Sequence, residues 1–107
     1  MEVRLVKPRR MAMTRNEIAR SFGISPKTVD ARVKEIDEEV KAKRYGPHSI
    51  MRDIGIVLIN PLVFADYMTY RSRLKNKNLR KNVPPYNAYE TSREFELQLS
   101  DDVVEVG

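Results

Sequence analysis

The sequence predicts a small α+β domain, mostly helical: two short helices joined by a tight turn, a two-strand hairpin, a third helix and an extended acidic C-terminal tail. Three observations carry this. Apolar residues recur at helical spacing in segments opened by capping residues. Two short runs that read as strands flank a glycine, and the sign of the charge changes abruptly near residue 82. At 107 residues the chain holds one modest core, and it divides into a basic arm over 1–13, a domain over 14–81 and an acidic tail over 82–107.

The arm carries Lys7, Arg9 and Arg10. Its two readings are contact with a polyanion and a mobile solvated terminus. From Thr14 the elements follow in order. Thr14 with Glu17 makes a capping box for a first helix that turns Ile18, Ala19 and Phe22 inward. Gly23 ends that helix, because the residue after a helix often takes positive φ, which a Cβ disfavours. Ser25 caps the second helix and Pro26 suits its first position. Val29, Val33, Ile36 and Val40 then line one face. Gly46-Pro47 breaks the second helix after Arg44, and Ser49 to Arg52 and Ile56 to Ile59 read as strands joined through Asp53 and Gly55. Asn60 and Pro61 open a third helix, PLVFADYMTYRSRLKNK, with Val63, Phe64, Tyr67, Met68, Tyr70 and Leu74 on its apolar side. The tail after Pro84-Pro85 reads as extended or disordered, with room for a short strand at Glu94 to Leu99 where Phe95, Leu97 and Leu99 alternate with polar residues.

Charge narrows the partners. Residues 1–44 hold twelve basic and seven acidic residues, and residues 45–81 hold seven and two, whereas 82–107 hold Arg93 against six acids. A polyanion is therefore attracted to the first two stretches and repelled by the last. Zero Cys excludes disulfides, thiolate metal sites and cysteine nucleophiles. One His, no Gly-rich phosphate loop and no converging acidic pair argue against an enzyme, a metal site or a cofactor. The lone His48 reads as structural or exposed. No segment has the apolar length of a membrane span or a signal peptide, so a soluble, cytoplasmic protein is expected.

Glu17-Ile18-Ala19, Gly23-Ile24-Ser25, Thr28-Val29, Val33 and Ile36 resemble the helix-turn-helix of bacterial DNA-binding proteins. Arg32 stands where the phage-repressor version has an apolar residue, and Val33 takes that part, a spacing closer to winged-helix proteins. With the hairpin as a wing, the order is similar to the small excisionase and MerR-like proteins of phages and mobile elements. The likeness covers the first motif and the architecture and does not extend to the tail.

The resemblance implies sequence-specific binding of double-stranded DNA, with the second helix in the major groove. Placing Val29, Val33 and Ile36 inward turns Lys27, Ala31 and Lys34 outward, with Thr28, Asp30 and Arg32 on the flanks. The expected base contacts are Lys27, Thr28, Ala31, Arg32 and Lys34. Asp30 either accepts from cytosine or orients a neighbouring cation. Phosphate contacts are expected from Thr14, Arg15 and Ser25 at the helix N-termini, Arg9 and Arg10 in the arm, and Arg52 in the hairpin.

The run Arg71, Arg73, Lys75, Lys77, Arg80 and Lys81 is either a second phosphate surface, a contact to a neighbouring protomer, or the solvated end of the third helix. Val63, Tyr67, Tyr70 and Leu74 have heptad-like spacing, compatible with self-association or with packing on the helix-turn-helix. Three functions are in play. The first is an excisionase-like architectural factor that assembles with an integrase or other protein partner. The second is a transcriptional regulator, dimeric at an operator. The third is an interaction module acting through the acidic tail.

Overall fold

The computed structural model describes residues 12–53 and 55–95. The elements are β1 (Met13–Thr14), α1 (Arg15–Phe22), α2 (Pro26–Lys41), β2 (Ile50–Asp53), β3 (Ile56–Ile59), α3 (Pro61–Leu74), α4 (Lys77–Arg80) and α5 (Ala88–Phe95). The strands form one antiparallel sheet in the order β1-β3-β2. The α+β class is thus as expected, with five helices where three were foreseen and a third strand beside the hairpin.

Local chemistry sets the helix starts. The Thr14 hydroxyl accepts from the Glu17 amide at 3.2 Å, and the Glu17 carboxylate accepts from the Thr14 amide at 2.9 Å. Two amides that a helix leaves bare are thereby satisfied. The Ser25 hydroxyl accepts from the Thr28 amide at 3.1 Å. Asn60 accepts from the Leu62 and Val63 amides at 2.8 and 3.3 Å, with Pro61 in the first turn. Between α1 and α2, Gly23 sits at φ 66°, and the Gly23 and Ile24 amides both donate to the Ala19 carbonyl. That closure turns the chain into α2 within three residues, Gly23 to Ser25.

These turns bring the apolar faces together. Ile18, Val29, Ile36, Ile59, Leu62 and Phe64 are fully buried, and Phe22 meets Phe64 edge to face at 4.9 Å. Each such side chain contributes roughly 1.5–3 kcal/mol on leaving water. Sheet register follows the same logic: Ile50 pairs with Ile59, which also pairs with Met13, so both buried isoleucines face the helices. The hairpin turns tightly between Asp53 and Ile56, with Gly55 at φ 75°.

Four expectations need correction. The second helix ends at Lys41 rather than after Arg44, and Lys43 just beyond it takes a φ of 73°. The third helix ends at Leu74, short of Lys77, because the Asn76 side chain accepts from the Asn78 and Leu79 amides and caps a separate short helix. β1 was not foreseen, since Met13 and Thr14 gain their pairing from β3, which is distant in sequence. The tail is not extended from residue 82. Val83 is buried, Tyr86 packs on Tyr45 with ring centroids 5.3 Å apart, and α5 lies against α3 with Thr91 and Ser92 buried. Its start is local too, since the Asn87 side chain accepts from the Glu90 amide at 3.0 Å. Glu94 and Phe95, expected in a strand, are helical, and residues 96–99 lie outside the described residues.

Gly23 and Gly46 make a matched pair. An added Cβ meets nothing within 4 Å at either, but only Gly23 has positive φ. Gly23→Ala is therefore expected to cost about 1 kcal/mol through backbone strain alone, and Gly46→Ala to be neutral or slightly stabilising. Urea unfolding of the two variants beside the parent checks this.

Candidate nucleic-acid interface

The helical repeat of α2 sorts its side chains into three faces. Val29, Val33 and Ile36 are buried against the body. On the opposite side Lys27, Ala31 and Lys34 are exposed, as the sequence predicts, and neither lysine has an ion-pair partner among the described residues.

The flanks carry four of the five acids, Glu38 lying on the outward side four residues after Lys34, and each acid has a cation. On one flank Asp30 holds Arg15 of α1 at 2.7 Å and Asp37 holds Arg52 of β2 at 2.8 Å. On the other, Glu35 takes Arg71 at 2.7 Å and Lys75 at 3.5 Å from α3 and its end, and Glu39 takes Arg80 of α4 at 2.6 Å. Glu38 pairs within the helix with Lys41 at 3.4 Å. The acidity of α2 is thus neutralised locally, which leaves the outward lysines as its uncompensated charge.

Glu35 is the most heavily engaged of these carboxylates. Besides Arg71 and Lys75 it accepts from the Tyr67 hydroxyl at 2.9 Å and from Arg32 at 3.2 Å. The hydrogen bond from Arg71 above all, opposed by burial and aided by Tyr67 and the Arg32 charge, holds its carboxyl down at about 2, against the usual 4.5. The Tyr67 hydroxyl is pushed the other way by burial and by the same carboxylate.

The expected site residues divide accordingly. Lys27, Ala31 and Lys34 form the outward row, with Thr28 half-buried beside it and its hydroxyl 3.0 Å from Ser25 Oγ. Arg32 does not join them. Its side chain is 17% exposed, turned toward α3 by Glu35, and its Nε is enclosed without a partner among the described residues. Of the phosphate candidates, Thr14 and Ser25 spend their hydroxyls on capping. Arg15 and Arg52 are half-exposed and paired with α2, and Arg9 and Arg10 lie outside the described residues, as does Lys7. Of the two readings of Asp30, the pairing with Arg15 bears on the second: it orients a cation, from α1 rather than from its own helix.

The basic run has a further use that sequence reasoning missed. Arg71, Lys75 and Arg80 tie α3 and α4 to α2. The only trace in the sequence is spacing: Glu35 and Glu39 are one helical turn apart, as are Arg71 and Lys75. A second node was also missed. Asp66, 4% exposed, accepts from Arg44 at 2.7 Å and from the Tyr45 hydroxyl at 2.6 Å, while Arg44 also donates to the Pro84 carbonyl at 2.8 Å. Val63, Tyr67 and Leu74 are buried in this chain's own core, so the heptad-like face is occupied internally and is not a free seam for self-association. Tyr70 is half-buried between Arg44 and Arg73, each stacked within 5.6 Å of its ring. His48 is exposed, and no metal-holding group of His, Cys, Asp and Glu occurs among the described residues. No helix among them is long and apolar enough to cross a membrane.

Because the folded chain holds the Glu35 carboxyl below its ordinary value, its contribution to stability is complete above pH about 4.5 and is lost as pH falls toward about 2. Glu35→Gln is expected to lose about 2 kcal/mol at neutral pH and to flatten the stability profile in that acid window. Urea midpoints across the acid range measure both effects. Comparison with protein-family models, curated proteins and solved structures found no match for this chain.

Proposed function

We propose that the chain binds double-stranded DNA as a winged helix-turn-helix, with α2 seated in the major groove and the β2–β3 hairpin as the wing. The observation that carries this is the outward row Lys27, Ala31 and Lys34 on a helix whose acids are all paired. A groove about 12 Å wide admits a helix with its side chains, and two lysines aimed outward suit guanine O6 and N7 or flanking phosphates. Thr28 stands beside them near the N-terminus of α2, and the Ala31 methyl suits a thymine methyl. Arg15 and Arg52 flank this row and supply backbone contacts. Arg32, drawn toward α3, is assigned a structural part instead.

Among DNA-binding roles, an excisionase-like architectural factor, placed beside an integrase on several sites, is favoured over a dimeric regulator. The support is the occupied face of α3, which leaves no apolar seam there for a two-fold dimer.

Lys27→Ala combined with Lys34→Ala is expected to weaken duplex binding by about 2 kcal/mol or more without lowering the melting temperature. The parent's affinity should fall about 150- to 500-fold between roughly 50 and 200 mM salt, as neutralising four or five phosphates requires. A flat salt response overturns DNA binding. Selection from a random duplex pool separates the roles: direct repeats bound by a monomer fit the architectural one, whereas an inverted repeat bound by a dimer fits the regulator.

A further inference from the structure

The two flanks of α2 are not equivalent. Glu35 and Glu39 hold their arginines in partly buried pairs that join α2 to α3 and α4. Asp30 and Asp37 hold theirs at the surface, where the Arg15 and Arg52 side chains are 44% and 52% exposed. These are the two arginines that flank the lysine row, and both are in contact with a carboxylate in the free protein. Arg15 donates through Nε at 2.7 Å, and Arg52 reaches both oxygens of Asp37, at 2.8 and 3.5 Å. A surface pair of this kind is worth about 0–1 kcal/mol, so it opens readily. A DNA phosphate offers the same guanidinium an equivalent bidentate acceptor.

On the DNA-binding reading above, we propose that Asp30 and Asp37 set the strength of that binding by competing with DNA phosphate for Arg15 and Arg52. Seating α2 exchanges each arginine from carboxylate to phosphate and leaves the carboxylate facing the backbone. Each aspartate therefore offsets the gain from one phosphate contact on every duplex, whatever its sequence, because phosphate contacts carry no sequence information. The base-facing row of Lys27, Ala31 and Lys34 is left as the main source of discrimination.

The test measures affinity for a random-sequence duplex across a salt series, using the full chain and its Asp30→Asn and Asp37→Asn variants. A phosphate contact no longer offset by a bared carboxylate steepens the salt slope by about 0.9, so each variant should bind roughly five- to tenfold more tightly near 0.1 M salt. The gain from Asp37→Asn should vanish in an Arg52→Ala background, and that from Asp30→Asn in Arg15→Ala. Glu90→Gln on α5 makes the same change in net charge away from α2 and should give no comparable gain. Circular dichroism and melting of every variant confirm that the fold is kept.

Unchanged or weaker binding by the asparagine variants overturns the proposal, as does a gain that survives removal of the arginine or is matched by Glu90→Gln. In each of those cases salt-dependent binding by the parent leaves DNA binding itself standing. Failure of the parent to bind DNA in a salt-dependent way overturns both.

Discussion

Five carboxylates on a single helix would, left bare, keep that helix away from any polyanion. In α2 each is met by an arginine or lysine, four of them from other elements. The pairing has a mechanical side as well as an electrostatic one. Arg15 comes from α1, Arg52 from the sheet, and Arg71 and Arg80 from α3 and α4, so the partners surround the helix and fix its rotation about its own axis. The apolar face supplies the burial energy, but a stripe of valine and isoleucine alone tolerates some rolling. Charge-assisted hydrogen bonds on both flanks do not.

Much of this framework was legible because it is local. Thr14 with Glu17, Ser25 with Pro26, and Asn60 with Pro61 are capping signals written in adjacent residues, and all three cap as read. Gly23 and Gly55 mark turns that need positive φ. The buried face of α2 followed from periodicity, and with it the exposure of Lys27, Ala31 and Lys34. What stayed hidden depends on residues far apart in the chain. Arg32 read as a flank residue free to reach outward, yet Glu35, one turn on, draws it toward α3, where Arg71 and Tyr67 share the same carboxylate. β1 has only two residues and no pattern of its own. The acidic composition after residue 82 suggested an extended segment, while the contacts that fold it come from Tyr45 and Arg44, some forty positions earlier.

That last contact shows how a buried polar node organises the second half of the molecule. Asp66 is deeply enclosed on α3, and its charge is stabilised by Arg44 and Tyr45 together. Burial and the neighbouring carboxylate push the Tyr45 hydroxyl well above its ordinary range, so it stays protonated and keeps donating. Arg44 Nη1 reaches the Pro84 carbonyl, an acceptor whose residue has no amide to enter a helix or strand. The segment before α5 is thereby pinned at one point, and Val83 and Tyr86 close over the core on either side of it. A charged pair that is costly to bury thus fixes where the chain returns.

The joint between β1 and α1 has no slack. Thr14 is at once the last residue of the strand, paired with Leu58, and the residue whose side chain starts the helix. Sheet and helix therefore share a hinge pin rather than a linker. Lengthening the chain there by one residue would rotate α1 by about 100°, swing Ile18 out of the interior and carry Arg15 away from α2. Insertions and deletions in relatives of this chain should therefore gather elsewhere.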